Sequence, residues 1–215
     1  MSQLSKSLDR PHVWRPAKSG SVSDIERQKT LLLLHGVGAD EFDLLNLGKA
    51  LDPNANLLSV RGLLTEGGNR HFMRFADGTF DQPGVIEAAD DLAEFLLTAA
   101  KHYGFDPTKV WAVGFSNGAN MAGSLFVLHP ESLAGAVCFA TNRALDTSSL
   151  HPNLTGKKFF IANGASDAYS PAHVIQEMVQ DFTKWGAEVD YQLHRGGHMI
   201  VSDHVEAIRD SLARA

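Results

Sequence analysis

The sequence predicts an α/β fold, a mostly parallel central sheet with helices on both faces. Three observations carry this prediction. Short apolar runs alternate with longer stretches of helical periodicity along nearly the whole chain, which is the rhythm of strand–helix–strand units. The segment Thr30–His35 encloses four consecutive leucines with no polar position between them, as a strand buried on both faces should. A chain of 215 residues, 44% hydrophobic and 20% charged, suits one domain over residues 1–215 with a sizeable core, and that composition excludes disorder.

In chain order, Val13-Trp14 opens an edge strand that ends near Gly20. Thr30–His35 follows and stops at Gly36-Val37-Gly38. Asp43–Leu51 reads as a short helix closed by Asp52-Pro53, and Asn56–Val60 as the next strand. Ile86, Ala89, Leu92, Ala93, Leu96, Ala99 and Ala100 form one face of a helix over Ile86–His102, with Gly104 at its end and Pro107 beyond. Lys109–Val113 is a strand that turns at Gly114–Gly118 into a tightly packed helix ending near His129-Pro130. Leu133–Ala140 and Lys158–Ala162 are further strands. Pro171–Trp185 is a helix with proline near its first turn, broken by Gly186. Val189–Leu193 reads as the last central strand, and His204–Ala213 as the closing helix. Arg61–Gly84 departs from the rhythm, with Gly62, Gly67, Gly68, Gly78 and Pro83 among aromatic residues. A stretch this long is either a functional loop, a lid included, or a packed surface excursion.

The net charge of −6 repels phosphate backbones and argues against nucleic-acid partners. The single cysteine, Cys138, lies in the apolar run Ala136–Ala140, where a small buried hydrophobe is expected rather than a reactive thiol. Met1-Ser2-Gln3-Leu4-Ser5-Lys6 is polar with no signal-type apolar stretch after it, and Leu31–Leu34 is far too short to span a bilayer, so a cytoplasmic location is expected. A homodimer is compatible with the sequence, which does not select an oligomeric state.

The chemistry concentrates in a few loops. Gly114-Phe115-Ser116-Asn117-Gly118 matches G-x-S-x-G, a weak signal alone that gains weight from the apolar strand before it and the small-residue helix after it. A serine oxygen is a poor nucleophile until a base takes its proton, and a sharp strand-to-helix turn exposes it to that base. Glycines two before and two after let strand and helix approach. In this setting the acid and the base follow the nucleophile in the chain. Asp167, in Asn163-Gly164-Ala165-Ser166-Asp167 just past a strand, is the candidate acid, with Asp146 and Asp181 as rivals. His198, in Arg195-Gly196-Gly197-His198, is the candidate base. His194 at the strand end is a weaker candidate, and His204 is expected at the surface. His194 and His198 are four apart, a spacing for metal on a helix, but Gly196 and Gly197 argue against a helix there, and neither metal nor cofactor is expected. An oxyanion needs preorganised N–H donors: Asn117, the residue after the nucleophile, supplies one, and Val37, after Gly36, the other. His35 is expected to organise that loop. A phosphate cradle at Gly36-Val37-Gly38 lacks the remaining residues of the nucleotide fingerprints.

With Leu34–Gly38, Gly114–Gly118, Gly164-x-x-Asp167 and Gly197-His198 in this order, the chain resembles the phospholipase/carboxylesterase family of α/β-hydrolases, from about Thr30 to the C-terminus. Arg70-His71-Phe72-Met73-Arg74-Phe75-Ala76-Asp77-Gly78-Thr79-Phe80-Asp81 looks like the aromatic, arginine-containing segment of its small bacterial carboxylesterases, including hydrolases associated with hydroquinone degradation. The resemblance implies an α/β-hydrolase fold without a large cap, acting on short or medium acyl or aryl esters. It implies Ser116, Asp167 and His198 as catalytic residues and Val37 and Asn117 at the oxyanion. Asn117 stands where the acyl-protein thioesterase branch usually has Gln, and Asn163 where the family often has His. Both weaken an assignment to depalmitoylation. Dienelactone hydrolases share the fold but use cysteine where this chain has Ser116.

Phe42, Phe72, Met73 and Phe75 are candidates to line a pocket for a small-molecule ester, or else belong to the core. Arg70 or Arg74 is a candidate to meet a substrate carboxylate. The readings that compete with an esterase are an acyl-protein or acyl-CoA thioesterase or lysophospholipase using the same residues, and a catalytically silent binding module on a hydrolase scaffold.

Overall fold

The computed structural model describes residues 8–17, 22–76 and 78–214. The polar N-terminus Met1–Lys6, the expected strand end near Gly20, and Asp77 of the aromatic segment lie outside the described residues.

The chain opens with β1 (His12–Arg15), the short α1 (Val22–Arg27), which the sequence reading did not foresee, β2 (Thr30–Leu34), α2 (Leu45–Leu51) and β3 (Asn56–Val60). The excursion after β3 holds two small hairpins, β4 (Leu64–Glu66) with β5 (Asn69–His71) and β6 (Phe75–Ala76) with β7 (Thr79–Phe80). There follow α3 (Gln82–Tyr103), β8 (Val110–Phe115), α4 (Asn117–Leu128), β9 (Gly135–Phe139), β10 (Lys158–Gly164), α5 (Ala172–Lys184), β11 (Glu188–His194) and α6 (Ser202–Leu212). The described residues include no large cap.

Seven strands form one sheet in the order β1-β3-β2-β8-β9-β10-β11. Among the described residues of this sheet only β1 runs antiparallel, against β3. Successive side chains of a strand face opposite ways, and the leucines of β2 obey this. Leu32 and Leu34 join the core under α3, α4 and α5, whereas Leu31 and Leu33 join the core under α2 and α6. Both faces are covered, so β2 needs apolar residues at every position, and all five of its residues are buried. The sheet grows outward in both directions from the β2–β8 pair. That reversal opens a crevice at the carboxyl ends of these two strands, where α/β sheets place their ligands.

Two expectations are corrected here. Val189–Leu193 belongs to an edge strand, β11, rather than a central one, and its residues are half-buried or exposed. The long helix starts at Gln82, four residues earlier than its apolar face suggested, because the Asp81 carboxylate accepts from the Gly84 N–H (3.3 Å) and Pro83 occupies the first turn. Cys138 is fully buried, and burial pushes its thiol pKa up. Among the described residues no helix is long and apolar enough to cross a membrane.

Candidate active site

The turn between β8 and α4 consists of Ser116 alone, at φ 54° and ψ −118°. This is a strained conformation for an L-residue, and surrounding contacts must hold it. The Ser116 N–H donates to Phe139 C=O (3.0 Å), and its own C=O accepts from the Asn120 N–H (2.9 Å). The flanking glycines are required by space. A Cβ on Gly114 would lie 2.4 Å from the Gly118 carbonyl, and one on Gly118 would lie 1.9 Å from Leu34 O. The helix therefore begins against the backbone of β2, and Ser116 stands above the crevice.

The loops after β10 and β11 bring the partners to it. They are laced together by Ala165 N–H to His194 C=O (2.7 Å) and Ser166 N–H to Gly196 C=O (3.1 Å). Gly164 packs so tightly that a Cβ there would meet Gly197 O at 2.2 Å. His198 Nε2 lies 2.9 Å from Ser116 Oγ, and its Nδ1 lies 2.8 Å from Asp167 Oδ2. The Asp167 side chain is fully buried, and its other oxygen accepts from the Tyr169 N–H at 2.9 Å. With Nδ1–H donating to the carboxylate, Nε2 is left as an acceptor for the serine hydroxyl. Phe115 and Tyr169 flank the imidazole, each with its ring centroid at 5.2 Å.

The rival groups are engaged elsewhere. Asp146 is exposed, and the Ser148 N–H holds its carboxyl below the usual carboxylate range. Asp181, on α5, pairs with Arg143 at 2.6 Å. His194 Nδ1 accepts from the Gly196 N–H (3.0 Å) and so shapes the His198 loop. His204, expected at the surface, is buried, because α6 packs its first turn on the end of β11. Its ring lies 5.2 Å from that of His194, and burial lowers its pKa. Among the described residues no three His, Cys, Asp or Glu side chains converge to hold a metal ion.

The loop after β2 faces Ser116 from the other side. His35 is buried. Its Nε2 accepts from the Gly62 N–H (3.0 Å), which leaves Nδ1–H to donate to Gly36 C=O (2.6 Å). An Nε2 that accepts a hydrogen bond belongs to a neutral ring, burial lowers its pKa in the same sense, and both nitrogens are committed to the loop. The Gly38 N–H donates to Arg70 C=O (3.0 Å), and the Ala39 N–H to Gly36 C=O (3.3 Å). Among the described residues no protein acceptor meets the Val37 N–H. At the start of α4, the Asn117 N–H is one of the donors that a helix leaves without an intrahelical partner.

Ser116, His198, Val37 and Asn117 line a cleft of about 650 Å³. Of the four expected pocket residues, Met73 and Phe75 line it, and Phe75 packs on Phe80 at 4.7 Å. Phe42 and Phe72 do not. Phe42 is 59% exposed on the turn before α2, where Ala39 and Asp43 face the cleft instead. Phe72 is a buried core residue whose ring lies 5.0 Å from that of His35, and it borders a separate cavity behind the excursion. The Arg74 side chain is paired with Glu66 (2.6 Å). Sequence reasoning missed Tyr169 and Asn142, which form part of the wall. The signal available for Tyr169 was an aromatic residue two positions after Asp167, within the same loop. Asn142 carried no local signal. Its Nδ2–H donates to Tyr169 C=O at 2.7 Å across a gap of 27 residues.

Comparison with known proteins agrees with this architecture. The chain is 35% identical over 181 residues to the putative hydrolase MhqD of Bacillus subtilis (strain 168), a match covering 84% of this chain and 90% of that protein. Its fold matches the crystal structure of the Bacillus cereus carboxylesterase with a TM-score of 0.88 at 35% identity, over 96% of this chain and 94% of that one. It also matches a carboxylesterase from Mesorhizobium loti with a TM-score of 0.81 at 29% identity, over 90% and 92% of the two chains. The model of the phospholipase/carboxylesterase family matches residues 21–215, and with the α/β-hydrolase sheet and the serine turn described above, the chain belongs to that family of hydrolases.

Proposed function

We propose that this hydrolase is a serine carboxylesterase that cleaves short or medium acyl or aryl esters through an acyl-enzyme. The observation that carries the reading is the unbroken chain Asp167–His198–Ser116, at 2.8 and 2.9 Å, opening on the cleft. His198 Nε2 takes the hydroxyl proton as Ser116 Oγ attacks the ester carbonyl carbon. Asp167, buried and hydrogen-bonded to Nδ1–H, stabilises the imidazolium that results. The carbonyl oxygen becomes an oxyanion, which the N–H groups of Val37 and Asn117 meet. Each such donor is worth about 10²–10³ in rate. Imidazolium then protonates the departing alkoxide or phenoxide, leaving the acyl group on Ser116. Water gives a proton to Nε2 and attacks the acyl carbon. Collapse of this second intermediate returns the proton to Ser116 Oγ and frees the acid.

A volume of about 650 Å³ and a wall of Met73, Phe75, Phe80, Phe115 and Tyr169 suit a small, partly apolar or aromatic ester. The decisive test is turnover of p-nitrophenyl esters with active-site labelling by a fluorophosphonate. The parent protein is expected to turn over and label at Ser116. Ser116→Ala should do neither, and His198→Ala should lose turnover while keeping the parental circular dichroism spectrum. Normal ester hydrolysis by either variant would refute the mechanism, and a folded parent that neither labels nor turns over would favour a silent binding module. Matched thioesters, tested alongside, are expected to be poorer substrates; a preference for them would move the assignment to a thioesterase.

A further inference from the structure

The excursion between β3 and α3 is fastened to the site by a buried side chain that the proposed reaction does not use. Asn117 is 6% exposed. Its Oδ1 accepts from the Phe72 N–H at 2.7 Å and from the Met73 N–H at 3.4 Å, while Nδ2–H donates to Met73 C=O at 2.9 Å. A primary amide carries acceptor and donor side by side, and here it meets the peptide groups of one dipeptide as a neighbouring strand would. Alanine offers neither function, and leaves buried peptide groups unpaired. Asn117 is also the residue next to Ser116, so this contact ties Met73, 1% exposed in the cleft wall, to the nucleophile through a single peptide. Other attachments of the excursion, among them Gly62 N–H to His35, Gly38 N–H to Arg70 C=O, and Arg61 to Pro11, Arg10 and Glu41, run to the loop after β2 or to the segment before β1, while Phe72 N–H and the Met73 peptide groups are met by Asn117.

We infer that the Asn117 side chain is a positioning residue for substrate selectivity: it sets the distance between the Met73 wall and Ser116, and so the size of ester the cleft accepts. The inference rests on the esterase reading above. It gives the asparagine at this position a physical role, since a longer amide would carry the same dipeptide about 1.5 Å further out, one C–C bond length.

The test measures kcat and KM on the full chain for two substrate series. One is p-nitrophenyl esters from acetate to hexanoate, and the other is acetates of alcohols of increasing size. In whichever series reaches the Met73 wall, Asn117→Ala should lower the ratio of kcat/KM between bulky and minimal esters by about tenfold, mostly through KM. Asn117→Gln should move the optimum to a larger ester. Met73→Ala should alter the same series, and its effect should be non-additive with Asn117→Ala, as for two groups acting through one contact. A uniform fall across both series, or additivity of the two substitutions, would overturn the inference. If Asn117→Ala does not fold, the direction of the Asn117→Gln shift decides: an optimum that stays put or moves to smaller esters counts against it. Failure of the esterase reading is separately visible, as turnover that survives Ser116→Ala.

Discussion

An alanine in place of Gly118 would set its methyl carbon 1.9 Å from Leu34 O, 2.4 Å from Leu34 C and 2.5 Å from His35 O. A carbon and a carbonyl oxygen settle no closer than about 3.3 Å, so the first turn of α4 must retreat from β2 by about 1.4 Å. The obstacle is the backbone of a central strand, paired on both sides and filled with leucines at 0% exposure, and it cannot yield as a flexible side chain would. The helix therefore moves, and Asn117 and Ser116 move with it. A misplacement of about 1 Å can lower rate by about 10², and overpacking of this kind costs about 1–3 kcal/mol. At about 2–4 °C per kcal/mol for a chain of this size, melting should fall by several degrees. Gly123→Ala on the same helix is the control. Its Cβ would meet Phe159 Cζ at 3.7 Å, an ordinary contact. Replacing a mid-helix glycine should then raise stability by up to about 1 kcal/mol with no change in turnover. The assay is aryl-ester kcat/KM with thermal melting followed by circular dichroism. Parental activity in Gly118→Ala, or equal damage from Gly123→Ala, would refute the argument that close approach of α4 to β2 aligns the site.

Asp167→Asn should lower kcat by about 10³–10⁴, because an amide cannot hold the imidazole in the tautomer that leaves Nε2 free, whereas Asp146→Asn, exposed and remote, should hydrolyse esters at the parental rate; the reverse ranking would transfer the acid role. Glu41 carries two 2.5 Å hydrogen bonds from Arg61, which hold its carboxyl below the usual carboxylate range. A depressed folded value means that this stabilisation is complete above about pH 4.3, where an unfolded glutamate titrates, and fades as pH falls through the folded value. Glu41→Gln should therefore lower the melting temperature at neutral pH and narrow its difference from the parent on acidification; a difference independent of pH would contradict this. Cys138, buried and with its thiol pKa raised, should react with a thiol-specific reagent only as fast as the protein unfolds, and rapid labelling of the native chain would show an access route absent from the structure.

The linear sequence determined those features whose causes are local. Four leucines in a row specify a strand with both faces covered, since alternate side chains must each find an apolar layer. Glycines at 114 and 118 specify a close strand–helix turn around Ser116, because any side chain there meets backbone. The order of Ser116, Asp167 and His198 along separate strand ends was legible for the same reason. What only the tertiary structure decided depends on partners distant in sequence. Val189-Asp190-Tyr191-Gln192-Leu193 alternates apolar and polar residues, which marks an incompletely covered strand but not its place in the order, and β11 lies at the edge because no further segment pairs with it among the described residues. His204 is polar and near a helix start, and it is buried because α6 packs that turn against the end of β11. Phe42, Phe72, Met73 and Phe75 look equivalent as apolar residues, and two of them line the cleft because the direction of each side chain is set elsewhere. For the three in the excursion, hydrogen bonds to Asn117, His35 and Gly38 fix those directions, spanning 27 to 45 residues. Periodicity and turn chemistry record neighbours within a few positions, so they specify elements and their ends; which faces meet, and which loop closes over which strand, is settled by packing between segments that carry no local mark of one another.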